Sequence, residues 1–303
     1  DLLSWAQRRK RKSTVDAPVE DPSRRQFLAR AAAGTALVGT AGSVVIGLSN
    51  AMGEVSTPTI EVSLSRLPKA LDGFRIVQIS DVHIGAILDR RFIDTIVEKT
   101  NALKPDLIAI TGDLVDGTPD VIGGDVAGLM GLKSRYGTYF VTGNHEYYSD
   151  AAAWLKQLDA MGIRTLTNER VRIGDKGPGG ASFDLCGIPD VRAGRFIESH
   201  TPDLKRALQG RDIERELVLL AHRPNPIVDA AKHGVGLQLS GHTHGGQLWP
   251  ITTAARFVHP YNAGLHHHND QTQIYVSRGT GFWGPPMRIL APAEITTLVL
   301  KAG

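Results

Sequence analysis

The chain reads as an α/β protein, an α+β sandwich of two mixed β-sheets flanked by helices. Three observations predict this. Short runs of Val, Ile, Leu and Phe recur at strand length, and each ends on a polar loop. Segments with the 3.6-residue apolar period of a surface helix lie between the early runs. Strand, loop, helix, strand therefore repeats through the first half, the order that builds sheets with helices packed outside them.

Taken in order, residues 59–63 alternate apolar and polar side chains and form a first strand. Residues 74–80 and 106–111 are strand-length apolar runs, and between them Phe92, Ile96, Val97, Thr100 and Leu103 share one face of a helix over 91–103. Pro105 stops that helix. Residues 137–142 form the next strand, and Trp154, Leu155, Leu158 and Met161 share a face of a second helix over 150–161. Residues 182–187, 217–221 and 237–240 are the later strands, with the single cysteine, Cys186, packed inside the first of them. One cysteine excludes an intrachain disulfide. The 303 residues, 42% hydrophobic and 21% charged, suffice for one medium-sized domain with a sizeable core plus an appendage.

Metal-binding residue types stand where five strands end. They are Asp81-Val82-His83, Gly112-Asp113, Gly143-Asn144-His145-Glu146, His222, and Gly241-His242-Thr243-His244-Gly245. Carboxylate, imidazole and one amide oxygen, with no thiolate, suit Mn²⁺, Fe or Zn²⁺ in a binuclear site rather than a structural zinc. A lone Asp-x-His or Gly-Asp is ordinarily a surface turn; five such stretches in one order at strand ends are not. His233 and the His266-His267-His268 tract have no such setting and read as solvated loop histidines.

These five blocks, in this order, resemble the calcineurin-like metallophosphoesterases over roughly residues 60–300. The forms Gly112-Asp113-Leu114-Val115-Asp116-Gly117 and Gly241-His242-Thr243-His244-Gly245-Gly246-Gln247 are similar to the bacterial exported or membrane-associated branch. A purple tyrosinate site is not expected, because Asp116 stands where the purple acid phosphatases carry tyrosine. The resemblance implies a four-layer fold and two divalent metal ions. Asp81, His83 and His244 would hold one, Asn144, His222 and His242 the other, and Asp113 would bridge them. It also implies a hydroxide nucleophile attacking phosphorus in line, with His145 protonating the leaving oxygen or stabilising transition-state charge.

The amino terminus predicts membrane targeting. Residues 31–53 carry no charge and follow Ser23-Arg24-Arg25-Gln26-Phe27-Leu28, which looks like a twin-arginine export signal. The apolar stretch is long enough for a retained anchor, and Ser49-Asn50-Ala51 also offers a small-x-small cleavage site. Arg8-Arg9-Lys10-Arg11-Lys12 is a second basic cluster, of the kind that follows a membrane helix on its cytoplasmic side; with Asp1 as the opening residue, the chain is expected to derive from a longer precursor. The expected domains are a basic segment over 1–30, a signal or anchor over 31–53, and a catalytic domain over 54–303. The export machinery and the membrane are the implied partners, and the catalytic domain is expected at the membrane or in the periplasm.

The net charge of +3 lies mostly before residue 31, without interleaved aromatics, so no nucleic-acid groove is expected. The substrate is expected to be a phosphorylated small molecule or a lipid-linked compound; the resemblance brings in relatives that include enzymes cleaving a UDP-2,3-diacylglucosamine-type pyrophosphate, a substrate made on the cytoplasmic side. Residues 174–180, 190–200 and 278–288 are the candidate specificity loops. In the last, Arg278 and Arg288 are expected to bind a second phosphate, and Phe282 with Trp283 to wall a pocket. A non-catalytic metal-binding scaffold and a membrane-anchored sensor are the alternative functions; both would bind metal without turnover.

Overall fold

The structure, a computed structural model, describes residues 22–175, 177, 179–253 and 260–303. The basic cluster at residues 8–12, and Lys176 and Pro178 of the 174–180 segment, lie outside the described residues. Two compact units are distinguished, one ending at Val45 and the other running Ile46–Gly303. Helix α1, Pro22–Met52, is a single helix of 31 residues that takes in both the paired arginines and the charge-free run. Its residues Ser23–Met52 are long and apolar enough to cross a membrane, and almost all of them are exposed.

Two six-stranded mixed sheets form the second unit. In chain order they are built from β1 (Thr59–Leu64), β2 (Phe74–Ile79), β3 (Leu107–Ile110), β4 (Thr138–Phe140), β5 (Ile163–Thr165), β6 (Glu169–Gly174), β7 (Ser182–Gly187), β8 (Leu217–Leu220), β9 (Leu237–Ser240), β10 (Gly264–His267), β11 (Gln273–Val276) and β12 (Thr296–Ala302). One sheet runs β1-β12-β2-β3-β4-β5 and the other β10-β11-β9-β8-β7-β6. Strands β2 to β5 are mutually parallel, as are β7, β8, β9 and β11. The helices are α2 (Arg90–Ala102), α3 (Pro119–Val126), α4 (Asn144–Tyr148), α5 (Ala151–Ala160), α6 (Leu204–Ala207) and α7 (Ile227–Lys232).

Alternation along each strand divides the core into layers. From β2 and β3, Ile76, Leu107 and Ala109 pack with Phe183, Leu185, Val218 and Leu239 of the other sheet. The intervening Val77, Ile79, Ile108 and Ile110 pack instead with Ile93, Ile96, Ile122, Trp154 and Leu158 of α2, α3 and α5. Leu219 and Leu217 of β8 meet Leu204 and Ala207 of α6 and Ala230 of α7. The order helix, sheet, sheet, helix is the expected four-layer sandwich. Parallel strands buried on both faces leave their carboxyl ends as the edge where a ligand can approach, and both sheets present that edge on the same side.

Candidate metal centre

All seven expected ligands and His145 meet beyond those strand ends. Asp81, His83 and His244 form one group and Asp113, His222 and His242 another, with the potential ligand atoms of each group within 4.8 Å of one another. Asn144 and His145 open the turn of α4 and line a cavity of about 570 Å³ together with His83, Asp113, His242 and His244. Asp81 and His222 stand behind them, fully buried.

The loops that deliver these side chains are bent in an unusual way. Asp81, His83, Asp113, His242 and His244 adopt left-handed φ angles of 52°, 54°, 49°, 69° and 51°. Such a backbone costs a non-glycine residue about 1–2 kcal/mol, and it persists only where surrounding contacts impose it. Here Asp81 N donates to Gly112 O at 3.0 Å, His83 N to Asp113 O at 3.1 Å, and His242 N to Asp81 Oδ1 at 2.9 Å. The buried Glu146 carboxylate adds three more, accepting from Gly143 N at 2.6 Å, Leu114 N at 2.7 Å and Asp113 N at 3.1 Å. It staples the second loop to the third. Burial, then the neighbouring Asp113 charge, push its pKa up to about 7 against those donors. Gly143 is required for the same closeness: a Cβ there would collide with the Asp113 carboxylate.

The arrangement fits two cations on its own chemistry. His222 donates Nδ1–H to Thr111 O at 2.8 Å, which aims the Nε2 lone pair into the site. That Nε2 is buried without a hydrogen-bond partner although Asp113 Oδ2 is 3.0 Å away. Two acceptors face each other there, an arrangement that a cation or a proton must relieve. Burial disfavours the imidazolium, yet the Asp113 carboxylate outweighs it and raises the His222 pKa to about 10, so the local field favours positive charge at that point. Asp113 itself is held far below the ordinary carboxylate range, burial being overcome by His222, His83 and His145. In the other group, His83 donates Nδ1–H to Asp116, leaving its Nε2 lone pair 3.2 Å from His244 Nε2, with Asp81 Oδ1 3.4 Å from the same atom. The ligand atoms converge in the manner of a metal cage.

Asp116 is a functional residue that the sequence reading missed. Its Oδ1 accepts from His145 Nδ1 at 2.6 Å and from His83 Nδ1 at 3.0 Å, joining the expected proton donor to an expected metal ligand. Burial opposes its ionisation, but the hydrogen bonds from His145 and His83 bring its pKa down to about 2. Desolvation likewise opposes the charged form of His145, and Asp116 with Asp113 still raises its pKa. The available signal was Asp116's place in the same short loop as Asp113. Arg223 was missed too, though it directly follows His222: it donates Nη2 to Asn144 Oδ1 at 2.8 Å and Nε to Asp190 Oδ2 at 2.6 Å, fixing the amide's direction.

The expected phosphate-binding arginines are placed differently. Arg288 is fully buried, donates to the carbonyls of Gly281, Ala291, Arg278 and Gly279, and stands 3.3 Å from His244 Nδ1, so it braces its own loop against an expected ligand instead of facing the cavity. Arg278 pairs with the buried Glu294 at 2.6 Å and lines a neighbouring cavity. Of the two aromatics expected to wall a pocket, Phe282 is in the core and Trp283 lines the metal cavity. His266 and His267 lie on β10 rather than in a loop; His233 caps the end of α7, its Nδ1 bonded to Asp229 O.

The family model for calcineurin-like phosphoesterases matches residues 74–246. The chain is 42% identical to the bovine (Bos taurus) "transmembrane protein with metallophosphoesterase domain" over 85% of its own length and 60% of that protein's. It is 40% identical to an uncharacterized metallophosphoesterase of Helicobacter pylori over 79% of this chain and 62% of that one. With the uncharacterized metallophosphoesterase YkuE of Bacillus subtilis it shares 32% identity over 92% of this chain and 98% of that one. The chain thus spans about three fifths of the length of the first two of these relatives.

Proposed function

The chain belongs to the calcineurin-like phosphoesterase family, and on that premise we propose that it hydrolyses phosphoester or pyrophosphate bonds with two divalent cations, acting on a cell-envelope or lipid-linked substrate. The observation that supports this best is the meeting of two ligand groups at one cavity that also holds His145. In this reading Asp81, His83 and His244 hold one cation, Asn144, His222 and His242 the other, and Asp113 is shared. Mn²⁺, Fe and Zn²⁺ all suit such donors. When bound, the pair supplies a nucleophile at neutral pH and neutralises charge on the phosphate oxygens.

The chain's own residues supply the remaining chemistry. His145, with Nδ1 committed to Asp116, meets the leaving oxygen through Nε2, and the Asp116 carboxylate keeps it protonated for that role. Arg223 turns the Asn144 oxygen to its post, and Glu146 keeps the Asp113 and Asn144 loops in register. Leu248, Ile251, Trp283 and Pro285 give the cavity an apolar wall, which favours a substrate with an apolar portion next to its phosphate.

The test is hydrolysis by the purified protein, stripped of metal and then supplied with Mn²⁺. The substrates are p-nitrophenyl phosphate, bis-p-nitrophenyl phosphate and a pyrophosphate-linked nucleotide sugar. Turnover of at least one that a chelator abolishes is expected. Tight metal binding without turnover of any would favour a scaffold or sensor instead.

The division into a basic segment over 1–30, a signal or anchor over 31–53 and a catalytic domain over 54–303 belongs to the same proposal, with the catalytic domain on the outer side of the cytoplasmic membrane. Arg24 and Arg25 would address the chain to the twin-arginine machinery, which, in proteins with this signal, carries chains already folded around their metals. Replacing both with lysine should leave the protein inside the cell on fractionation. Normal delivery of the variant to the periplasmic side would refute the export reading.

A further inference from the structure

Two loops, residues 247–251 and 283–290, supply the apolar wall of the metal cavity through Leu248, Ile251, Trp283 and Pro285, whereas Trp249 and Leu290 do not line it. The Gln247 side chain locks them together, donating Nε2 to Trp283 O at 2.8 Å and accepting from Trp283 N at 3.0 Å, while Ile289 N donates to Gln247 O at 2.9 Å. On this rigid pair four large apolar side chains stand in solvent: Trp249, Ile251, Trp283 and Leu290 are 59%, 55%, 57% and 77% exposed. Leu290 does so from a left-handed φ of 60°. Among the described residues of the two loops, 245–253 carry no charge and the only charged residue within 279–291 is the buried Arg288, while Arg278 borders the patch beside Leu290.

The same loops are fastened to the end of α1. Arg288 N donates to Gly47 O at 2.9 Å and Asn50 Nδ2 to Arg288 O at 3.1 Å. Gly47 lies so close to Met287 that a Cβ would come within 2.9 Å of its Cε. Around that junction α1 exposes Ile46, Leu48 and Met52, so the apolar surface continues from the last turns of the helix to the mouth of the cavity.

We propose that this surface rests in a lipid bilayer. The two loops and the last turns of α1, residues 46–52, sit in the headgroup region, and the metal cavity opens onto the membrane, where it takes an amphiphilic phosphoester whose tail remains in the lipid. This rests on the reading of the site as a phosphoesterase. Lipid is the occupant the observations favour. The described loop residues of the patch carry no exposed charge and include two exposed tryptophans, whose amphipathic rings prefer the membrane interface, and the patch adjoins the exposed Ile46, Leu48 and Met52 of the last turns of α1. Exposed apolar area of this kind otherwise marks an association surface.

The experiment reconstitutes the full chain in phosphatidylcholine–phosphatidylglycerol vesicles containing brominated lipid, which quenches tryptophan on contact. The parent's emission should be quenched, and the quenched share should shrink in Trp249→Phe, which preserves bulk. In parallel, Trp249→Gln/Leu290→Gln is assayed on a bilayer-embedded phosphodiester and on soluble bis-p-nitrophenyl phosphate. The lipid substrate should lose roughly tenfold or more while the soluble one is unchanged, since lost apolar burial weakens only the interfacial encounter. No quenching attributable to Trp249, equal losses on both substrates, or a detergent-solubilised dimer that the double variant converts to monomer would each overturn the proposal, the last by assigning the patch to a second copy. If the parent cleaves neither substrate the phosphoesterase reading fails, and quenching still decides the membrane contact.

Discussion

Asp113→Asn should leave the protein with well under two metal ions per chain and no measurable hydrolysis. The wild-type carboxylate accepts from His145 N through Oδ1 at 2.9 Å and faces His222 Nε2 through Oδ2 at 3.0 Å. It is the anion on which the charge balance of the second ligand group depends, and it stays ionised although fully buried because three imidazoles surround it. An amide has the same shape and no charge, so the fold should survive while a shared ligand is lost and the repulsion between the two cations goes uncompensated. Even outer partners of metal ligands cost about 10–100-fold in affinity when removed; loss of a shared ligand should exceed that. Metal analysis by mass spectrometry together with a melting curve makes the test. A fully loaded, active variant would refute the assignment of Asp113 as the bridge.

His145→Ala should retain metal and lose about 10²- to 10⁴-fold in maximal rate on an alkyl ester, the ordinary worth of a positioned proton transfer. On a p-nitrophenyl ester the loss should be distinctly smaller, because that leaving oxygen departs without needing a proton. Asp116→Asn should behave differently, since Asp116 holds the rings of both His145 and His83. Weakened metal binding should accompany its slower rate. Its pH profile should also move. The proton donor must be protonated, its pKa is raised in the parent, and activity is therefore lost as pH rises through that value. Removing the Asp116 charge lowers the His145 pKa, so the alkaline loss should begin at lower pH. Metal loss in His145→Ala, or equal rate losses across leaving groups of very different acidity, would assign His145 to charge stabilisation or metal binding instead of proton transfer.

The residues that converge at the cavity were legible because each stretch follows an apolar run, and strand ends are local features. The strand at 74–80 and the helix at 91–103 appear as β2 and α2, the latter begun by an Asp89 side chain that caps Arg91 N at 2.9 Å. Of the strands that escaped notice among the described residues, β5, β6 and β10 are sheet edges, while β11 and β12 are interior and take partners from elsewhere in the chain. β12 is the clearest case: residues 296–302 insert between β1 and β2 from the opposite end of the chain, a pairing no local pattern encodes. Arg288 was misjudged for a related reason. An arginine in a Gly- and Pro-rich loop reads as solvent-facing, and only the folded loop shows the carbonyls that converge on it. Asp116 and Arg223 were passed over because their work is on other side chains, which sequence spacing does not display.

The claim at the centre of this account is that two ligand groups, around Asp81 and around Asp113, act as one binuclear catalyst. It is tested most directly by titrating metal-free protein with Mn²⁺ while following bound metal and phosphodiester hydrolysis in the same samples. The account predicts little activity at one ion per chain and a rise to a plateau as the second binds. Full activity with a single ion, or two ions bound with no hydrolysis of any phosphoester offered, would contradict it.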